Sequence, residues 1–370
     1  MQLDHTAVDD APPSAEDEYG ERRIRLTAAS RIKPRPVRWL WNLRVALGTL
    51  CLLAGREGIG KSSIAYAIAG LITQGTLPGV YFGKPRAVIV AATEDSWEHT
   101  IVPRLMAAGA NLDLIYRVDV SVTGGMDTEI ILPSDLSQLE ESVAQVDAAL
   151  IMLDPIVSRL SPNLDTHKDA EVRIALEPLV ALADRTGAAV LGVIHVNKSG
   201  GGDALNMVMG SRAFSAVARS VLFAMTSPED ENVKFLGQPK NNLGRSDLPT
   251  LTYRISGAHV ADTEEGEIWT GRVDWLGEIN MSIADALVAS GEDTDTRSAT
   301  RDATEWLGDY LKSVGGCAAS GAVKDNGKAV GHSARTLDRA RKKLELSVDS
   351  SGFPRQTYWR LPAVVVSDDF

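Results

Sequence analysis

Residues 55–62 read Gly-Arg-Glu-Gly-Ile-Gly-Lys-Ser, the pattern G-x-x-x-x-G-K-[ST]. A chance match in a chain of this length has a probability on the order of one in a hundred. The placement constrains the fold further. An apolar run, Leu50–Ala54, precedes the loop, and a helix-length apolar segment, Lys61–Thr73, follows it. Gly55, Gly58 and Gly60 let the backbone turn its N–H groups toward anionic oxygens, and the start of the helix adds a positive dipole. The spacing predicts a triphosphate cradle made of Gly55, Arg56, Glu57, Gly58, Ile59, Gly60, Lys61, Ser62 and Ser63. Lys61 is expected on the β- and γ-phosphates and the Ser62 hydroxyl on Mg²⁺, so the implied cofactors are ATP and Mg²⁺.

Apolar runs alternate with helix-length stretches from there to Met225: Ala87–Ala92 then Trp97–Ala108, Ala149–Leu153 then Asp169–Arg185, Ala188–Val196 then Ser211–Arg219, and Val221–Met225. Continuous apolar strands separated by helices predict a buried, mainly parallel α/β sheet. Lys234–Gln238, Thr250–Ile255 and Glu267–Trp275 predict antiparallel additions at its edge. Two strands end in acids. Asp154 closes Ala148–Asp154 and fits the carboxylate that orients Mg²⁺ through water. Glu94, with Asp95 as fallback, follows Ala87–Ala92 and is the candidate base that orients and deprotonates water in line with the γ-phosphate. Capping of the following helix by either acid is the alternative role. His195, near the end of its own strand, is the candidate sensor of the γ-phosphate.

Composition bounds the rest. Apolar residues are 44% and charged residues 24%, as in ordinary globular domains, and no run reaches the length that spans a bilayer. The net charge of −11 argues against a surface coated throughout by nucleic acid. Cys51 and Cys317 show no metal spacing, and no signal-peptide pattern opens the chain, so a reducing, cytoplasmic setting is expected. The expected organisation is a flexible acidic tail over 1–36, an ATPase domain over 37–280, a polar linker over 281–301, a small domain over 302–362 and a tail over 363–370.

In that small domain Ala303, Trp306, Leu307, Tyr310, Leu311 and Val314 have the spacing of one buried helix face. Helices over Ala318–Lys328 and Ala334–Leu344 follow, the last capped by Ser333 with Ala334, Leu337, Ala340 and Leu344 inward. Leu346–Val348 and Thr357–Leu361 can pair around SSGFPR. Arg297–Arg360 holds 12 Lys/Arg against 7 Asp/Glu, an island of positive charge in an acidic chain. The arrangement looks like a winged helix-turn-helix, with Arg335, Arg339, Lys342, Lys343 and Arg355 as candidate duplex DNA contacts.

Taken together, VRWLW, LLAGREGIGKSS, ATEDSWEHTIVPRLMAAGA, LIMLDPIVSRL, LEPLVALADRTGAAVLGVIHVNKS, GSRAFSAVARSVLFA and QPKNNLG resemble the RecA-type AAA-25 ATPases, a group that includes the RepA hexameric replicative helicases. The resemblance covers roughly Ile32–Gly277. It implies a RecA-like P-loop core, a homo-oligomeric ring with ATP between subunits, and a cation reaching each site from the neighbour. Lys240, Arg212 and Arg219 are the candidates for that role. It also implies that loops 158–168 and 197–210 face single-stranded DNA, with Lys168, Lys198 and Arg159 as available cations and Gly200–Gly202 as a mobile stretch. The helicase reading, in a phage or other mobile element, calls for a separate primase or loader and no membrane. A DNA-binding regulator that assembles with ATP but does not unwind is the alternative; a recombinase would need an N-terminal polymerisation element, for which no pattern is visible.

Overall fold

In the computed structural model, residues 24–122, 125–197, 203–245, 247–291, 294–351 and 356–362 are described. Arg355, Lys198, Gly200–Gly202, most of the acidic tail and the last eight residues lie outside them. The chain divides into residues 1–37 and 38–370. In the first unit, residues 24–37 are exposed and carry one 3₁₀ turn, Ala29–Arg31.

The second unit opens with a short antiparallel pair, β1 (Trp39–Trp41) and β2 (Val45–Ala46). Strand β3 (Leu50–Gly55) is buried at every position and leads through the glycine-rich loop into helix α1 (Lys61–Thr73). Most of α1 is also buried, and its small residues let it lie close to its neighbours; a Cβ on Gly70 would sit 2.5 Å from the Ala108 carbonyl oxygen. Strand β4 (Ala87–Ala92) is followed by a π-helical turn, Trp97–Ile101, continuing into α2 (Val102–Ala107). Then come β5 (Ile115–Arg117), the hairpin β6 (Val120–Val122) and β7 (Met126–Thr128), and α3 (Leu136–Val146). The core continues with β8 (Ala148–Asp154), α4 (Asp169–Thr186), β9 (Ala189–His195), the short helices α5 (Ala204–Met207) and α6 (Ala213–Val217), and β10 (Ser220–Thr226).

Among the described residues one sheet has nine strands. It is completed by β11 (Lys234–Asn241), β12 (Thr250–Thr263) and β13 (Gly266–Ile279), in the order β13-β12-β11-β10-β3-β9-β8-β4-β5. The six strands from β10 to β5 are parallel and the three additions antiparallel, as the apolar patterning predicts. Helices on both faces seal the sheet, producing two apolar clusters on its opposite sides. This is an α/β fold of the kind that carries a P-loop. The β12–β13 hairpin is far longer than the expected runs, with cross-strand pairing unbroken from Thr250↔Ile279 to Thr263↔Gly266 apart from two bulges.

From Ile283 onward the described part of the stretch 281–301 is helical: α7 (Ile283–Gly291) and the start of α8 (Thr294–Ser313) occupy it. Ile283 and Ala286, three residues apart, bury against the main core and hold α7 in place. Beyond it lie β14 (Cys317–Ala319), α9 (Ser320–Ala329), α10 (Ala334–Lys343), β15 (Ser347–Ser351) and β16 (Gln356–Arg360), with β16 between β14 and β15. Ala303, Leu307, Leu311, Val323, Leu337, Ala340, Leu346 and Trp359 form their own core. Ser333 caps α10 by accepting from the Thr336 N–H. Val314 and Ala334 are exposed, contrary to the spacing argument, because Val314 lies just past the end of α8 at the Gly315–Gly316 turn and Ala334 is the first residue of α10.

Candidate active site

Parallel strands bring their finishing ends to one edge of the sheet, and there the chemistry collects. Gly55 at the end of β3 pairs with His195 at the end of β9, and Ala92 of β4 pairs with Asp154 of β8. The order β3, β9, β8, β4 therefore sets the phosphate loop, the histidine, the aspartate and the Thr93–Glu94 step in a row. Glu94 follows the strand beside β8, not a strand next to β3, so it faces the loop across two strands.

The loop takes the form its glycines require. Gly58 and Gly60 have φ of 71° and 93°, and a Cβ on Gly55 would lie 2.8 Å from the Ala224 carbonyl oxygen. Arg56, Glu57 and Gly58 are exposed, Ile59 is buried and anchors the loop, and Ser62 and Ser63 are half-buried at the first turn of α1. Lys61 is only 6% exposed; its Nζ donates to the Arg56 carbonyl at 2.9 Å and lies 3.2 Å from His195 Nδ1. Burial pulls its pKa down, while Asp154, Glu57 and Glu94 oppose that shift.

Asp154 is 9% exposed, and the Ser62 side chain is near enough to favour its charged form. Desolvation pushes its carboxyl up to about 6, Ser62 and Lys61 pull it down, and the charges of Glu94 and Asp95 push it further up. A carboxylate and a serine hydroxyl held together beside a buried lysine fit Mg²⁺ bound with nucleotide, because Mg²⁺ in such sites takes one or two protein oxygens and fills its octahedron with phosphate and water. Among the described residues no cluster of three or more His, Cys, Asp or Glu forms a metal cage of protein ligands alone.

Glu94 is exposed, and its charge is felt at Lys61, Asp154 and His195. Neither Glu94 nor Asp95 caps the next helix. Ser96 does so, accepting from the His99 N–H. Asp95 instead pairs with Arg104 at 2.7 Å, and Glu94 is the more exposed of the two acids. His195 has its pKa lowered by burial first and by the Lys61 charge next, and its Nδ1 is the atom that faces the Lys61 ammonium.

The three trans candidates do not share a location. Val221↔Lys240 pairing puts Lys240 beside the first residues of β10, and Arg219 directly precedes that strand; both lie at the starting edge of the parallel strands, remote from the phosphate loop of their own chain. Lys240 Nζ donates to the Ser215 and Ala216 carbonyls at 2.6 and 3.3 Å, and burial together with Arg219 lowers its pKa. Arg212 and Arg219 are exposed, and Arg212 follows Ser211, which bonds Asp169 at the start of α4.

Two predicted cations are otherwise engaged. Arg159 is 1% exposed and ion-paired with Glu129 at 2.7 Å, so it does not face solvent as a loop cation. Lys168 pairs with Glu171 and Asp165. Tyr253 is a participant that no local pattern announces. From β12 its hydroxyl donates to the Ile59 carbonyl at 2.9 Å, across 194 residues, and Trp275 packs against its ring.

Residues 17–201 match the family model AAA_25, described as an AAA domain. The chain belongs to the AAA_25 family. Membership makes it an AAA-type P-loop protein and supports nucleotide binding and ATP hydrolase activity in general. The match spans the loop, Glu94, Asp154 and His195 of this AAA_25 chain and ends before GSRAFSAVARSVLFA and QPKNNLG. No curated protein matches it. No helix among the described residues of this AAA_25 protein is long and apolar enough to cross a membrane.

Proposed function

We propose that the chain is a Mg²⁺-dependent ATPase acting on DNA, a RepA-like hexameric replicative helicase or helicase-related replication initiator of a phage or mobile element. The convergence of Lys61, the Ser62–Asp154 pair and Glu94 on one sheet edge carries the hydrolytic part. In that reading the loop N–H groups and Lys61 bind the triphosphate, while Ser62, and Asp154 through water, would hold Mg²⁺, whose charge would offset that of the phosphates. Glu94 orients and deprotonates the attacking water, and His195 registers the movement of Lys61 toward phosphate. Lys240, Arg219 or Arg212 of a neighbouring copy supplies positive charge in trans.

The DNA part rests on the C-terminal segment, which we read as a winged helix-turn-helix. Arg335, Arg339, Lys342 and Lys343 are exposed along α10, and the antiparallel β15–β16 pair that follows it supports that reading. The burial and ion pairing of Arg159 favour the second reading, an ATP-switched DNA-binding regulator, because they remove one cation from the loop that a translocating ring would present to single-stranded DNA.

Strand displacement on forked DNA with and without ATP separates the readings. ATP-dependent unwinding, lost in Glu94→Gln, supports the helicase. DNA-bound assembly with ATP but no unwinding supports the switch, and the absence of Mg-ATP binding by calorimetry rejects both.

A further inference from the structure

Arg159 is the largest fully buried side chain among the described residues. It stands on the 3₁₀ turn Val157–Arg159, just past Asp154. A buried guanidinium is poorly tolerated unless its donors are matched, and apolar packing would stabilise the fold at least as well. Here Nη2 donates to Thr93 Oγ1 and to Glu129 Oε2, each at 2.7 Å, and Nε has no partner. Thr93 is the residue before Glu94.

The surroundings show what the contact holds. Asp95, on the other side of Glu94, is tied to Arg104 at 2.7 Å. Glu94 therefore sits exposed between two clamped neighbours. A cavity of about 390 Å³, lined by Thr93, Asp95, Glu129 and Arg159 among others, opens beside this step, so packing alone does not fix it from that side. The backbone around Arg159 is tied as well: Leu132 N donates to the Arg159 carbonyl at 2.7 Å and Ser161 N to the Leu132 carbonyl at 3.0 Å. One side chain thus joins the Asp154 turn, the strand tip of β4 and the segment after β7.

We infer that Arg159 is a positioning residue for Glu94, acting through Thr93 to hold the carboxylate in line with the attacking water. The inference rests on the hydrolytic reading of the site. Arg159 is 1% exposed and spends its Nη2 donors on Thr93 and Glu129, so its effect is on turnover and not on binding.

The test is a comparison of Thr93→Val, Thr93→Ser and Arg159→Lys in the full chain, following binding of a fluorescent ATP analogue, kcat, KM and melting temperature. Thr93→Val removes only the hydroxyl while keeping the volume. It should lower kcat on the order of 10–100-fold, as misplacing a reacting group does, with KM and analogue affinity held within about twofold. Thr93→Ser keeps the acceptor and should restore kcat, and Arg159→Lys, which reaches one acceptor at most, should fall between. Wild-type kcat in Thr93→Val, or a loss of kcat matched by equal losses of affinity and melting temperature, overturns the inference and leaves the hydrolytic reading standing. Absence of turnover in the wild-type chain overturns the hydrolytic reading first, and the inference with it.

Discussion

Lys61 enters the site from the first turn of α1, gives up most of its hydration there and is compensated by the Arg56 carbonyl, the His195 ring and three nearby carboxylates. Lys61→Ala should weaken nucleotide binding on the order of 10–100-fold, the loss expected of charge-assisted hydrogen bonds. Calorimetric titration with Mg-ATP measures it. Glu94→Gln keeps the shape and removes the base, so kcat should fall on the order of 10²–10⁴-fold with affinity retained in the same titration. His195 has a pKa below its ordinary 6.5 in the fold. Its contribution to stability is complete above that value and is lost as pH falls, because the unfolded chain then takes up the proton that the folded ring refuses. His195→Asn should therefore lessen the drop in melting temperature between about pH 7 and about pH 5. Cys51 is buried and its thiol is pushed up to about 12, whereas Cys317 is half-buried. Mild alkylation of the native protein followed by mass spectrometry should label Cys317 and spare Cys51.

At the scale of elements, the hairpin β12–β13 backs the phosphate loop through Tyr253 and Ile255, the latter at 3.0 Å from where a Gly60 Cβ would stand. Tyr253→Phe deletes one buried hydrogen bond and should cost about 1 kcal/mol in chemical denaturation, with a looser nucleotide site as the functional readout. This support is not legible in the chain, because a tyrosine in an alternating strand gives no sign that its hydroxyl meets a carbonyl 194 residues away. The phosphate loop, Asp154 and Glu94 are legible, since each follows directly from an apolar strand whose end must surface at the ligand edge. Arg159 reads as a loop cation for a physical reason: an arginine in a polar loop is normally solvated, and the acceptors that draw it inside, Thr93 at the tip of β4 and Glu129 past the end of β7, are remote in sequence. The stretch 281–301 reads as a linker because its composition is small and polar, while the pair Ile283 and Ala286 suffices to dock a helix once the core offers a surface.

For the whole molecule, charge is distributed unevenly: an acidic chain carries a basic helix, α10, whose Arg335, Arg339 and Lys342 are exposed. Reversing these three should weaken duplex binding and flatten the plot of log affinity against log salt by about 0.9 for each phosphate no longer neutralised. Fluorescence anisotropy over a salt series measures both, and an unchanged slope would exclude this face. The sheet adds a constraint on assembly. Its finishing edge carries the phosphate loop, while Arg219 and Lys240 stand at the starting edge. Two copies related by a two-fold axis cannot satisfy both edges at once, so if either of these cations completes a site, the copies must stack head to tail. Such a stack has direction: it closes on itself or ends with one site always lacking its partner, and the smallest fully active species is a closed one.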